Sequence, residues 1–338
     1  MQPELFKEEG NADDFQRYIP VNVTTSFRAL APHLGLAELN YIKPLLGDAL
    51  FSALVKRYKK GNEGKDADQW QQLLDYVKYS EIHLAFYLGW AILSTSISDS
   101  GAESKADGDK RIYRYDKEHI LDTFKNNGFN ILDTVLNFLY DNIHIFKLFK
   151  KSNFYKDNQK TLIPTTALFN SIYNINNSRL VFLKMRQYIK IVEDIELVHY
   201  FGREFIDELL AADLESEKYG FIAERVRNYI VYLSVAKGIG ELKKLPTEKG
   251  LIFEYVSERS ARDGYVHNQV AVNEVETTLQ FCHRTAESYL ASAIDYLKKR
   301  KEEFPAFIRW AGENCPKSTV IHRDNAGKRT FFFPVKLG

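Results

Sequence analysis

A mainly α-helical chain of two tandem, related helical-bundle domains, with short β-hairpin inserts and a C-terminal β-hairpin, is the fold class that three observations predict. Helix breakers are scarce: 18 glycines and 9 prolines in 338 residues fall below the roughly 12% these two types ordinarily make up. Apolar residues recur at gaps of three and four over long stretches, the spacing of one helix face. The two halves of the chain also repeat the same order of patterns, the signature of an internal duplication.

The elements follow in chain order. Residues 1–17 are polar and acidic and are expected to fray. Residues 18–160 form the first helical domain, 161–315 the second, and 316–338 a C-terminal hairpin or tail. Leu39, Ile42, Leu46, Ala49 and Ala53 keep helical spacing, and so do Trp70, Leu73, Leu74, Val77, Leu84 and Leu88. Lys43-Pro44 and Leu46-Gly47 break the first of these into two short helices with a bend, because the residue before proline avoids the helical region and glycine favours helix ends. Long helices are predicted from Asp116 to about Lys150 and from Asn273 to about Glu303. Before them lie Arg111 to Tyr115 and Leu251 to Val256, β-rich runs behind loop-forming residues that read as small hairpins. Asn153 to Ser178 reads as the linker, with the second domain beginning from about Ala167. Two β-prone runs flank Asp324-Asn325-Ala326-Gly327, which predicts the terminal hairpin.

The repeat rests on three registers. Glu38 to Val55 matches Glu193 to Leu210, setting Gly47 over Gly202. Trp70, Val77, Leu84 and Gly89 match Tyr219, Val226, Leu233 and Gly238. Leu121, Val135, Leu136 and Asp141 match Val275, Tyr289, Leu290 and Asp295. The two glycine coincidences separate this from the apolar spacing that any two helical domains share.

Composition and motifs exclude much. Lys+Arg (46) and Asp+Glu (45) nearly cancel, which removes the global attraction most nucleic-acid binders show. The longest apolar stretch, Leu84 to Leu93, is half the roughly 20 residues of a membrane span and reads as a buried core helix. The N-terminus lacks a basic start and apolar run, so secretion is not expected. Cys282 and Cys315 form neither a disulfide framework nor a paired metal spacing. The eight histidines are scattered, His83 on an apolar face that suits a core histidine. Gly238-Ile239-Gly240 follows a helix pattern and reads as a helix terminus rather than a phosphate loop. No catalytic, cofactor-binding or metal residue is assigned.

Two features carry a binding expectation. Lys147, Lys150 and Lys151, interleaved with Leu148, Phe149, Phe154 and Tyr155, suit nucleic-acid backbone contact but read more simply as a cationic helix C-terminus, where lysines complement the helix dipole. Phe331, Phe332 and Phe333 alternate sides in a strand, so both faces need cover, either by folding back or by a neighbouring subunit.

The stretch Ile19-Pro20-Val21-Asn22, Phe27-Arg28-Ala29-Leu30, Tyr41 to Gly47 and Leu50 to Leu54, followed by Tyr255 to Ser260, Ala286 to Leu290 and Glu303 to Phe307, resembles an uncharacterised protein family of Bacteroidetes genomes often found in prophage-like regions. More distantly it is similar to the helical head–tail connector (adaptor) proteins of tailed phages, which are shorter and single-domain. The resemblance implies a non-enzymatic structural protein, a homo-oligomer joining portal, neck or tail proteins, cytoplasmic during assembly and then part of the virion. No cofactor and no membrane partner is expected, and the balanced charge disfavours nucleic acid as a partner. The alternatives are a host helical scaffold or regulatory module and, behind it, an enzyme of unrecognised type.

Overall fold

Helical spacing becomes helix where the apolar stripe finds a facing surface, and the computed structural model shows this twice. It describes residues 3–6, 17–19, 27–98, 101–104, 114–242, 253–254, 267–268 and 272–314. Helix α1 (Phe27–Ala37) passes through a π-helical turn, Glu38–Ile42, into α2 (Lys43–Leu46). Pro44 lies in the first turn of α2, where a missing N–H costs little. Gly47 ends α2 at φ 78°, ψ 152°, and its N–H donates to the Lys43 carbonyl at 2.8 Å. Helix α3 (Asp48–Lys60) starts at once, Asp48 facing the positive end of its dipole. Then come α4 (Ala67–Leu93), a short antiparallel pair β1 (Thr95–Ser98) and β2 (Gly101–Ser104), and α5 (Arg114–Asp141).

Helices α4 and α5 run antiparallel, as Phe86 on Phe124, Ser80 on Gly128 and Tyr76 on Phe138 show. They come close because Gly128 has no side chain: a Cβ there would stand 2.7 Å from Leu84 Cγ. The Ser80 hydroxyl uses that approach to donate to the Gly128 carbonyl at 2.8 Å. A 3₁₀ turn (Lys147–Lys151) and α6 (Asn153–Asn158) close the first half, with the Ser152 hydroxyl accepting the Tyr155 N–H as a cap.

The second half begins with α7 (Thr166–Ile172) and α8 (Arg179–Ile191), capped by Thr165 and Ser178. A π-helical turn, Val192–Leu197, leads into α9 (Val198–Phe201) and α10 (Arg203–Ala211), with Gly202 between them at φ 77°, ψ 151°. Helix α11 (Gly220–Leu242), the paired segments β3 (Phe253–Glu254) and β4 (His267–Asn268), α12 (Val272–Lys299) and α13 (Pro305–Asn314) complete it. Helix α11 packs antiparallel to α12 through Phe221 on Tyr296 and Tyr232 on Tyr289 and Phe281. One apolar cluster gathers buried residues from Leu5 to Phe149 and another from Leu162 to Phe307. Helix α5 meets α8 where the halves join, and the Arg179 guanidinium donates to Asp133 at 2.8 Å there.

Several expectations are corrected. The stretch expected to fray includes Leu5 and Phe6, which are buried. The backbone N–H groups of Glu4 and Leu5 donate to the Glu38 carboxylate at 2.7 and 3.0 Å, and the Lys78 ammonium lies over the Phe6 ring, so distant partners hold these residues. The predicted linker 153–178 contains α6 and α7 and buries Leu162, Ile163 and Phe169. Arg114 and Tyr115, expected in a hairpin, open α5. Residues 111–113 lie outside the described residues. The helix expected to reach Lys150 ends at Asp141. The chain turns there, the Asn142 side chain donating to the Phe138 carbonyl, and Phe146 meets Trp70 with ring centres 5.1 Å apart. The Gly238-Ile239-Gly240 step does fall at a helix end, within the last five residues of α11, with Gly238 against Met185 and Tyr188. The predicted C-terminal hairpin, 316–338, lies outside the described residues.

Candidate functional site

The first bend presents a concave surface beside an expected binding residue, Lys151. Leu39, Lys43, Pro44, Gly47, Asp48 and Ala49 from the π-turn, α2 and α3 face Leu148, Lys151, Ser152 and Asn153 across a groove of about 500 Å³. Gly47 makes this possible: its positive φ favours glycine, and a Cβ there would stand 2.7 Å from Ser152 Cβ. Beside the groove Leu36 and Leu39 are 41% and 45% exposed. Of the expected binding residues, Lys151 lines the groove, and Lys147 and Lys150 share its 3₁₀ turn. None of the three has a carboxylate partner among the described residues. They do not cap the long helix, which ends six residues before Lys147. Phe331, Phe332 and Phe333 lie outside the described residues.

The second bend has the same backbone and a different filling. Against Gly202 lies the indole of Trp310, its Cγ 2.5 Å from where a Cβ would stand. Arg309, next to it on α13, pairs with Glu204 in the first turn of α10. Ile191 and Ile195 stand 37% and 61% exposed on the adjoining helix. The bends also hold the chain ahead of them alike: Glu193 accepts the Leu162 N–H and the Thr161 hydroxyl at 2.8 Å each, as Glu38 accepts two N–H groups.

Burial pushes the Glu193 carboxyl up to about 7, against the two hydrogen bonds that favour its charge. The folded chain thus holds this proton more tightly than the unfolded chain, so the associated stability is full below about 4.5 and lost as pH rises to about 7, a span worth roughly 3 kcal/mol. Glu193→Gln should flatten that part of the stability curve. Urea midpoints for both proteins from pH 4 to 8 test it, and parallel curves contradict it.

Two other polar places are built differently. Where the halves join, Asp133, Tyr140, Asn158, Thr165 and Arg179 line a cavity of about 260 Å³. Arg179 is only 2% exposed, and the low-dielectric setting pulls its guanidinium down while Asp133 supports it. Glu81 is enclosed, and burial followed by the nearby Glu38 carboxyl pushes it well above the usual range. Neither Glu38 nor Glu81 lines the groove or the cavity. His83 is a core histidine: its Nδ1 is 2.8 Å from the Tyr79 carbonyl and its ring stacks on Tyr79. Cys282 is buried and free. Among the described residues no group of three or more His, Cys, Asp or Glu gathers in a metal-binding arrangement, and no helix is long and apolar enough to cross a membrane.

The groove was half legible in the sequence, because Gly47 and the lysines were singled out there. That Ser152 and Ala49 border it had no signal, since both are small and matter through what they leave open. No curated protein and no solved structure matches the chain. The sequence profile of a family of unknown function (DUF6712) matches residues 42–159 and 190–316, well over half of the chain and each stretch containing one of the two glycine bends. The chain belongs to this family of unknown function, DUF6712.

Proposed function

We propose that the chain is an assembly adaptor, a pair of helical bodies related by duplication that joins other proteins by surface contact. In this reading it is a structural protein of a phage or prophage particle, a homo-oligomer placed between portal or head components and neck or tail. It assembles in the cytoplasm and stays with the particle. The duplication reading is supported by the matching order of elements and by Gly47 and Gly202, whose φ and ψ agree within 1°. It is supported further by the paired carboxylates Glu38 and Glu193 and by ring pairs at the same place in each body, Trp70 with Phe146 and Tyr219 with Phe304.

The observation that carries the contact role is the open groove beside Gly47, flanked by exposed Leu36 and Leu39 and by lysines with no carboxylate partner among the described residues. Exposed apolar side chains around a concavity with a charged rim are what protein interfaces use. Four of the nine large hydrophobics exposed among the described residues stand at the two bends, which supports a contact role for them. Density-gradient sedimentation of particles induced from the producing cells tests the reading. The chain should travel with particles at a fixed ratio to a portal or tail protein; its complete retention in the soluble fraction would contradict a virion role.

A further inference from the structure

The second body shows what the first leaves open. In register with Gly47, Ala49, Lys151 and Ser152 of the first bend stand Gly202, Glu204, Arg309 and Trp310 of the second. There the indole lies on the glycine and the carboxylate closes on the cation. In the first body a serine replaces the indole and an alanine the carboxylate, so the groove stays open and Lys151 has no carboxylate partner among the described residues. We infer that the groove receives a partner segment carrying an aromatic side chain and a carboxylate, which together complete the first bend as Trp310 and Glu204 complete the second.

Charge decides the class of occupant. Lys151 lines one wall, with Lys147 and Lys150 on the same 3₁₀ turn; Lys43 is drawn to Glu4 at 2.9 Å, and Asp48 is the acid on the opposite wall. An acidic segment gains from the Lys151 ammonium, which has no carboxylate partner among the described residues, and from the two lysines beside it on the turn, whereas a basic segment meets like charge. The volume suits a single large ring with its flanking backbone. This inference rests on the adaptor reading and on the correspondence of the two bends, and it adds the chemistry of the partner.

The probe is a labelled peptide of the α13 sequence, Pro305 to Asn314, with Arg309→Glu to make it acidic, titrated against the full chain by fluorescence anisotropy. It should bind with a Kd of about 1 mM or tighter, weaken with added salt, and fail when Trp310→Ala is added to the peptide. Lys150→Glu with Lys151→Glu in the chain should weaken it about tenfold and reverse the order, the unmodified Arg309 peptide now binding better. Ala49→Glu should also block the acidic probe, because the new carboxylate closes on Lys151 from within. Absence of binding, or equal affinity for wild type and the charge-reversed chain, overturns the inference. If the probe fails while the chain still sediments with particles, the groove chemistry falls and the adaptor reading stands; if the probe binds and the chain stays soluble, the reverse holds.

Discussion

Gly47→Ala and Gly202→Ala should each cost about 3 kcal/mol or more, lowering the melting temperature of the affected body by roughly 6–12 °C. Two penalties add at each position. The backbone lies near φ 78°, ψ 151°, a region that side chains avoid, and the new Cβ would stand 2.7 Å from Ser152 Cβ or 2.5 Å from the Trp310 ring. Gly61→Ala separates the two. Gly61 has φ 95° and ψ 143° but nothing within 4 Å of the added methyl, so it carries backbone strain alone and a smaller loss of about 1–2 kcal/mol. Gly312→Ala, in α13 with open space and no positive φ, should instead gain up to about 1 kcal/mol from helix propensity. Calorimetry of the four variants checks the order; equal losses at Gly47 and Gly61 would mean that the close contact with Ser152 contributes nothing.

The other large effect is at the seam. Arg179→Ala should destabilise by about 3–5 kcal/mol, because it strands the Asp133 carboxylate, whose side chain is 23% exposed, beside a new cavity. Burial raises Asp133, and the Arg179 charge is the largest influence holding it down, so in the variant its titration should move upward. The guanidinium also lies 5.6 and 5.8 Å from the Phe154 and Phe182 ring centres, contacts the variant loses as well. Adding Asp133→Asn should recover part of the loss, since the stranded charge goes while the cavity remains. Denaturant unfolding of the two single variants and the double tests this. Strict additivity would show that the ion pair does not couple α5 to α8.

The features legible in the sequence are those whose cause is local. Helical spacing from Trp70 to Leu88 and from Val275 to Leu297 becomes α4 and α12, and the Leu46-Gly47 step becomes a break between two helices, because periodicity and a glycine's missing Cβ act within a few residues. What escaped has distant causes. Leu5 and Phe6 sit in a polar stretch and are buried because Glu38 and Lys78 reach them from more than thirty residues away. The helix through Leu139 reads as continuous to Lys150, yet it stops so that Phe146 can meet Trp70. Arg179 carries no signal in the sequence, and only the approach of α5 and α8 encloses it. The groove belongs to both classes: Gly47 and Lys151 are visible along the chain, while their meeting depends on the 3₁₀ turn folding back onto α2 and α3.

Site-specific photo-crosslinking in the producing cells tests most directly whether this molecule exists to be touched at the groove. A photoreactive amino acid is placed at positions 39, 49 and 148 on the groove and, as controls, at the exposed Ile92 and Val181. The account predicts one defined adduct from all three groove positions, identifiable as a particle protein or a second copy of the chain, and lost with Lys150→Glu and Lys151→Glu. Adducts equally abundant at the control positions, or a chain that remains at 39.2 kDa from every groove position, would contradict it.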